Sequence, residues 1–356
     1  MPSHSSPEPF DAILIVSFGG PEGPDDVVPF LRNVTEGRNI PDERLAVVGE
    51  HYANFGGVSP LNGQVRELIA ALEPALVEAG HDLPVYWGNR NWHPMLTDTI
   101  RTMRSDGRTR ALAFVTSAYS SNSGCRQYQD DIARAIAETA SDATADTEIE
   151  VVKVRPFFNH PGFVHTMADN VEKALAGLDP AEADNARIAF TAHSIPVGMA
   201  INCDYEAQLN DVATVISSRL SRSLEWDLVF QSRSGPPQVP WLEPDICDHI
   251  DALANDPDTA TSPLIIAPIG FISDHMEVLW DLDTEARARA EQHGITMVRA
   301  ETVGTAPAFV RAIVDLLEEH LTGATPQVVG DFAARPSPCE PGCCALQPRP
   351  TPSNMG

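Results

Sequence analysis

Short apolar runs alternate with helix-period stretches along nearly the whole chain, and this alternation constrains the fold more than any other feature. Runs at residues 12–18, 83–88, 110–117, 148–154, 187–192, 227–231, 264–269 and 295–301 have the length of buried strands. Helical periodicity fills most of the gaps, at residues 25–34, 41–54, 65–79, 97–105, 126–139, 162–178, 205–220, 244–254, 273–292 and 308–321. Strands joined by helices run parallel, and parallel sheets are covered on both faces. The 356 residues suffice for two such units. The chain therefore reads as α/β, with two lobes and a cleft between them. Residues 12–122, completed by 305–330, are assigned to the first lobe and 123–304 to the second. Residues 1–11 read as a flexible N-terminus and 331–356 as a Cys/Pro-rich tail.

In open parallel sheets, ligands sit beyond the carboxyl ends of the strands. Two stretches fall there. After the run at 264–269, Gly270 permits a turn, Ser273 is a cap candidate, and a helix is predicted to follow. Glu277, Asp281 and Glu285 recur every four residues, so they share one face of that helix. Carboxylates in a row repel one another unless solvent or a cation lies between them. A solvated acidic face is the plain alternative, but Met276, Leu279 and Trp280 beside them are apolar. The second stretch is Phe190-Thr191-Ala192-His193-Ser194-Ile195-Pro196, which sets His193 on the same rim. A lone histidine is often a packed residue; opposite Glu277 it becomes a candidate base or metal ligand. One imidazole and one carboxylate suit a borderline divalent ion such as Fe(II).

Other loops at strand ends carry Arg233, which could pair with an anion or with an acidic neighbour, and the hydroxyl-rich residues 117–124. The formal net charge of −26 disfavours nucleic acid and anionic membranes as partners, since no basic stripe exists to meet phosphates. No apolar run approaches the roughly 20 residues of a spanning helix, and the N-terminus lacks a signal-peptide core. The chain is therefore expected in the cytoplasm. No Walker A or complete dinucleotide glycine pattern occurs, so the sheets do not imply NAD or ATP. Cys339, Cys343 and Cys344 lie in a Pro-rich tail that needs a staple to order it. By spacing alone they fit a labile tail, a zinc clip or an iron–sulfur site.

Several motifs together, in order over residues 12–322, resemble the ferrochelatases. They are Phe18-Gly19-Gly20-Pro21, Gly56-Gly57-Val58-Ser59-Pro60-Leu61, Arg90-Asn91-Trp92-His93-Pro94, Ala192-His193-Ser194-Ile195-Pro196, Gln231-Ser232-Arg233 and Ser273-Asp274-His275-Met276-Glu277. The resemblance implies two Rossmann-like, chelatase-like lobes and insertion of Fe(II) into a free-base porphyrin. His193 matches the family's active-site histidine, read as proton acceptor. Glu277 matches a glutamate facing it across the macrocycle, and Asp281 and Glu285 an acidic ladder on a helix of π character. These four would meet the metal. Phe18, Ser59, Tyr119, Ser120, Tyr128 and Arg233 would contact the porphyrin. Phe18 stands where some bacterial relatives have a tyrosine, so no axial phenolate is expected.

The polar segment 36–44 replaces an apolar lip, as in soluble actinobacterial members that make Fe-coproporphyrin III. Coproporphyrin III is therefore the expected substrate, with protoporphyrin IX the alternative. Cobalt chelatases of the same fold and a non-catalytic haem carrier or iron–sulfur sensor are further alternatives. The resemblance also implies a [2Fe–2S] cluster held by Cys339, Cys343, Cys344 and a mid-chain thiol, best matched by Cys125, with Cys203 and Cys247 in reserve. A monomer is the default, and any contact with neighbouring haem-pathway enzymes is expected to be transient.

Overall fold

A computed structural model describes residues 9–37, 40–140, 148–235, 238–340 and 342–346. Most of the expected flexible N-terminus, part of the polar segment 36–44 and the end of the tail lie outside the described residues.

The first half runs β1 (Ala12–Ser17), α1 (Pro24–Val34), α2 (Asp42–Ala53), α3 (Leu61–Glu78), β2 (Val85–Asn89), α4 (Leu96–Ser105), β3 (Arg110–Val115), a π-helical turn (Asn122–Arg126), α5 (Gln127–Thr139) and β4 (Glu150–Lys153). The second half runs α6 (Pro161–Leu175), α7 (Pro180–Ala183), β5 (Arg187–His193), α8 (Val197–Ala200), α9 (Tyr205–Arg219), β6 (Trp226–Gln231), α10 (Ile246–Asn255) and β7 (Leu264–Ala267). It closes with α11 (Met276–Trp280), a second π-helical turn (Asp281–Ala286), α12 (Arg287–His293), β8 (Met297–Arg299) and α13 (Pro307–Leu321).

The strands form two four-stranded sheets, ordered β2-β1-β3-β4 and β6-β5-β7-β8, with every pairing parallel. All six residues of β1 are buried, as a strand covered on both faces requires. In each sheet the first strand is central and its neighbours lead away on either side. The crevices beyond the ends of β1 and β5 are therefore switch points.

The two-sheet α/β architecture agrees with the expectation, but the lobe boundary at residue 122 does not. β4 pairs with β3, so the first sheet draws on the chain through Lys153. Alternation reveals the order of strands, not their partners. The short helices α7 and α8 and the first π-helical turn were also not predicted. One apolar core runs through both sheets: Ile13, Phe114, Ile188 and Phe190 belong to a single cluster, completed by α3, α6, α9 and α13. Smaller cores lie on the outer faces, and a separate cluster of Val27, Phe30, Leu31 and Leu45 joins α1 to α2.

The seam between the sheets is polar at one point. Arg155 is 2% exposed. Its Nε donates to both Glu319 carboxylate oxygens at 3.0 Å, and its Nη2 to the Gln327 carbonyl at 3.0 Å. The chain after α13 follows this seam. Val329 N donates to the Asn159 carbonyl at 2.9 Å, Asn159 Nδ2 to the Phe332 carbonyl at 2.8 Å, and Arg335 Nη1 to Asp204 at 2.8 Å.

Candidate active site

β5 and β7 are adjacent in the second sheet, and their carboxyl ends supply the two halves of the site. β5 ends on His193. Its Nδ1 faces the Ser194 carbonyl and donates to it, which leaves Nε2 to face the site. The Tyr205 hydroxyl donates to the His193 carbonyl at 3.0 Å. After β7 the chain turns at Gly270, where a Cβ would lie 2.7 Å from Ala192 Cα. Only glycine lets this turn pass so close to the strand that carries His193.

The helix that follows is capped by His275, whose Nδ1 accepts from Glu277 N at 3.1 Å, and not by Ser273 as predicted. Several polar residues stand in a row there, and the turn after Gly270 delays the helix until Met276. Glu277 then meets His193, with Nε2 and Oε1 3.3 Å apart. This separation corrects one expectation. A flat macrocycle needs about 3.5 Å on each of its faces, so none can lie between the two side chains. In this conformation His193 and Glu277 form one pole of the site.

Burial pushes the His193 imidazolium down, but the Glu277 carboxylate and the hydrogen bonds to Glu277 and Ser194 outweigh it and raise the group to about 9. Burial likewise opposes the Glu277 charge, yet His193 and His275 hold the carboxyl at about 2. The two side chains keep 31% and 46% of their surface accessible. They are ringed by protein but open to solvent on one side, so water tempers the attraction.

Asp281 begins the second π-helical turn and accepts a hydrogen bond from Ser232 Oγ. Burial, reinforced by Glu277 and Glu285, raises its carboxyl to about 7 despite that bond. The widened turn agrees with the π character expected for the ladder. Glu285 lies in the same turn and, after burial and Asp245, helps to raise the Cys247 thiol on α10.

The six expected porphyrin contacts divide. Phe18, at the end of β1, is 38% exposed and packs edge-to-face on Phe30 at 6.3 Å. Arg233 is also accessible; its Nη2 donates to the Val239 carbonyl at 3.3 Å and its Nη1 is 3.9 Å from Glu243. Ser59, Tyr119, Ser120 and Tyr128 are each at most 5% exposed. Tyr119 donates to the Ile269 carbonyl at 3.0 Å, and Ser120 exchanges hydrogen bonds with Gln208. In this conformation these four support the wall and do not face a ligand.

Other residues at the site were not anticipated from sequence. Tyr52 of α2 stands near enough to Glu277 that the carboxylate, after burial, raises its hydroxyl above the ordinary range. His51 stacks on Trp280 with ring centroids 4.1 Å apart, joining α2 to the acidic helix. Gln231 Nε2 holds the Glu277 carbonyl at 2.9 Å. A cavity of about 460 Å³ opens beside Gln64 and Asp274, but its lining includes neither His193 nor Glu277.

The cysteines gather elsewhere. Cys125, on the first π-helical turn, lies near enough to Cys339 that this thiol, aided by Lys153 and against burial, lowers it to about 6, while Cys339 Sγ donates to the Pro336 carbonyl at 3.8 Å. Cys343 and Cys344 have their sulfurs 3.6 Å apart, and Arg335 Nη2 is 3.9 Å from Cys343 Sγ. Cys203 instead donates to the Met199 and Ala200 carbonyls. Among the described residues, no three His, Cys, Asp or Glu side chains converge so as to hold a metal ion. The donors at both places are arranged as facing pairs.

Comparison with known proteins places these features in context. The family model described as Ferrochelatase matches residues 10–321. A ferrochelatase of Rhodopirellula baltica is 50% identical, over 97% of this chain and 96% of that protein. Coproporphyrin III ferrochelatases of Streptomyces coelicolor and Mycolicibacterium smegmatis are 50% and 48% identical, covering 98% and 94% of this chain and 97% and 99% of theirs. In fold, the chain is similar to SirB from Bacillus subtilis, solved with Fe3+, at a TM-score of 0.53, 13% identity, and 88% and 96% coverage.

Proposed function

The chain belongs to the ferrochelatase family and is a ferrochelatase, and from that premise we propose that it inserts Fe(II) into coproporphyrin III to give Fe-coproporphyrin III in haem synthesis. The observation that carries the chemistry is the facing pair of His193 and Glu277, with Asp281 behind it. The names of relatives near half identity support the choice of porphyrin.

The resting pair explains how one site can handle both a cation and protons. At neutral pH His193 is an imidazolium held by the Glu277 carboxylate. Fe(II) arriving along Asp281 and Glu285 exchanges water for carboxylate oxygens. Once the dication binds Glu277, the imidazolium loses its partner and faces a like charge, so it releases its proton. The freed Nε2 then accepts the two pyrrole protons in turn, passing the first outward before it takes the second, as iron enters the macrocycle. Two protons leave for each dication gained, so charge is conserved. Asp281, titrating near neutrality, relays protons outward and keeps the ladder from carrying its full repulsive charge. Phe18 has no ligating atom and offers its exposed ring to the macrocycle face. Among the described residues no helix is long and apolar enough to cross a membrane, and the cytoplasm is the location we assign.

Anaerobic assays with Fe(II) and either coproporphyrin III or protoporphyrin IX test this reading. We expect the higher kcat/KM with coproporphyrin III. A preference for protoporphyrin IX overturns the substrate, and failure with both overturns the activity in favour of a carrier.

We propose Cys125, Cys339, Cys343 and Cys344 as the ligand set of a [2Fe–2S] cluster, although among the described residues no three of them converge to hold a metal. Cys125 is lowered while Cys339 and Cys344 are raised in the metal-free pairs, and Lys153 and Arg335 supply positive charge that would favour thiolates. When bound, such a cluster supplies a four-thiolate crosslink and a one-electron couple; metal insertion consumes no electron. Cys339→Ser is expected to abolish the visible absorption of the purified protein and lower its melting temperature. An unchanged spectrum excludes this ligand set.

A further inference from the structure

We infer that Gln64 is a positioning residue for Glu277, acting from the opposite lobe through the backbone of Asp274; the inference rests on the iron-insertion reading above. Gln64 lies in the first turn of α3. Its Nε2 donates to the Asp274 carbonyl at 2.9 Å, and its Oε1 accepts from Asp274 N at 2.8 Å. The side-chain amide thus pairs with both polar groups of one residue, as a neighbouring strand would, across 210 positions of sequence.

Asp274 opens the turn that ends on Glu277, and both ends of that turn are tethered. The Asp274 carboxylate accepts from Arg299 Nη1 and Nη2 at 3.2 and 3.1 Å and from Thr302 Oγ1 at 3.1 Å. His275 holds Glu277 N, and Gln231 holds the Glu277 carbonyl. Arg299, Thr302, His275 and Gln231 all belong to the second sheet or its loops. Gln64 alone among these hydrogen bonds comes from the first lobe, and with the His51–Trp280 stack it ties the Glu277 turn to the wall that carries Phe18. The apolar face of α3, including Leu61, Val65 and Leu68, already fills the core. Packing gives no reason for an amide at residue 64, whereas the Asp274 backbone does.

Losing the amide leaves a half-buried N–H and C=O that water can reach, so the fold survives. A displacement of about 1 Å at a reacting carboxylate, by contrast, can cost up to roughly a hundredfold in rate. The test uses the full-length protein and two variants. Gln64→Met keeps the length and removes both hydrogen bonds; Gln64→Glu keeps the acceptor and loses the donor. We expect Gln64→Met to lower kcat for Fe(II) insertion at least about tenfold, with the porphyrin KM changed less than about twofold. Gln64→Glu should fall between it and wild type, and circular dichroism and melting temperature should stay near wild type. A Gln64→Met kcat near wild type overturns the inference, as does a rise in porphyrin KM at constant kcat. If Gln64→Met fails to fold, the same split in Gln64→Glu decides. Wild-type protein that metallates no porphyrin overturns the functional reading itself, a result separable from any variant-to-wild-type ratio.

Discussion

His193→Ala is expected to lower kcat for iron insertion by roughly a thousandfold, the middle of the range for removing a positioned proton acceptor. Porphyrin binding, followed by fluorescence, should change little, because the walls of the cleft remain. A kcat within tenfold of wild type removes His193 from the reacting atoms. The same variant reads the resting pair through pH. His193 stands above its ordinary 6.5, so its contribution to stability is complete below that value and is lost as pH rises through about 9. Glu277 stands below its ordinary 4.5, so its contribution is present above that value and is lost as pH falls through about 2. The melting-temperature difference between wild type and His193→Ala should therefore be largest between about pH 4.5 and 6.5 and shrink on either side. A difference that is flat from pH 3 to 10 contradicts the ion pair.

The largest expected stability loss lies away from the chemistry. Arg155→Ala leaves Glu319 as a nearly buried charge without the guanidinium whose Nε both its oxygens share, and strips donors from the Gln327 and Pro156 carbonyls. Breaking a buried pair in this way costs about 3–5 kcal/mol. Urea unfolding monitored by tryptophan fluorescence should show the loss as a lower midpoint. Combining Arg155→Met with Glu319→Leu removes both charges and should recover much of it, since the main penalty is the orphaned carboxylate. A loss below about 1 kcal/mol for Arg155→Ala would place the residue with surface pairs.

The strands and helices were largely legible because buried parallel strands are short apolar runs and their helices keep a clean period. His193 and the Glu277, Asp281 and Glu285 row were legible for a related reason: polar residues at the ends of such runs have few structural uses. The placement of β4 was not, because pairing depends on which edge is free when the chain returns. The contact between His193 and Glu277 was also hidden. It follows from β5 and β7 being neighbours, whereas the family resemblance suggested opposite sides of the macrocycle. Gln64 was invisible for a deeper reason. Its partner is a peptide group, which every residue carries, so no residue type at Asp274 announces the pair.

The apolar interior that runs through both sheets has a consequence for access. Two halves that share their oil cannot swing apart as a book opens, because any wide hinge would flood Phe114 and Phe190 together. Helices α1 and α2 stand outside that shared interior, on the cluster of Val27, Phe30, Leu31 and Leu45, and the stacked rings of His51 and Trp280 join them to the acidic helix.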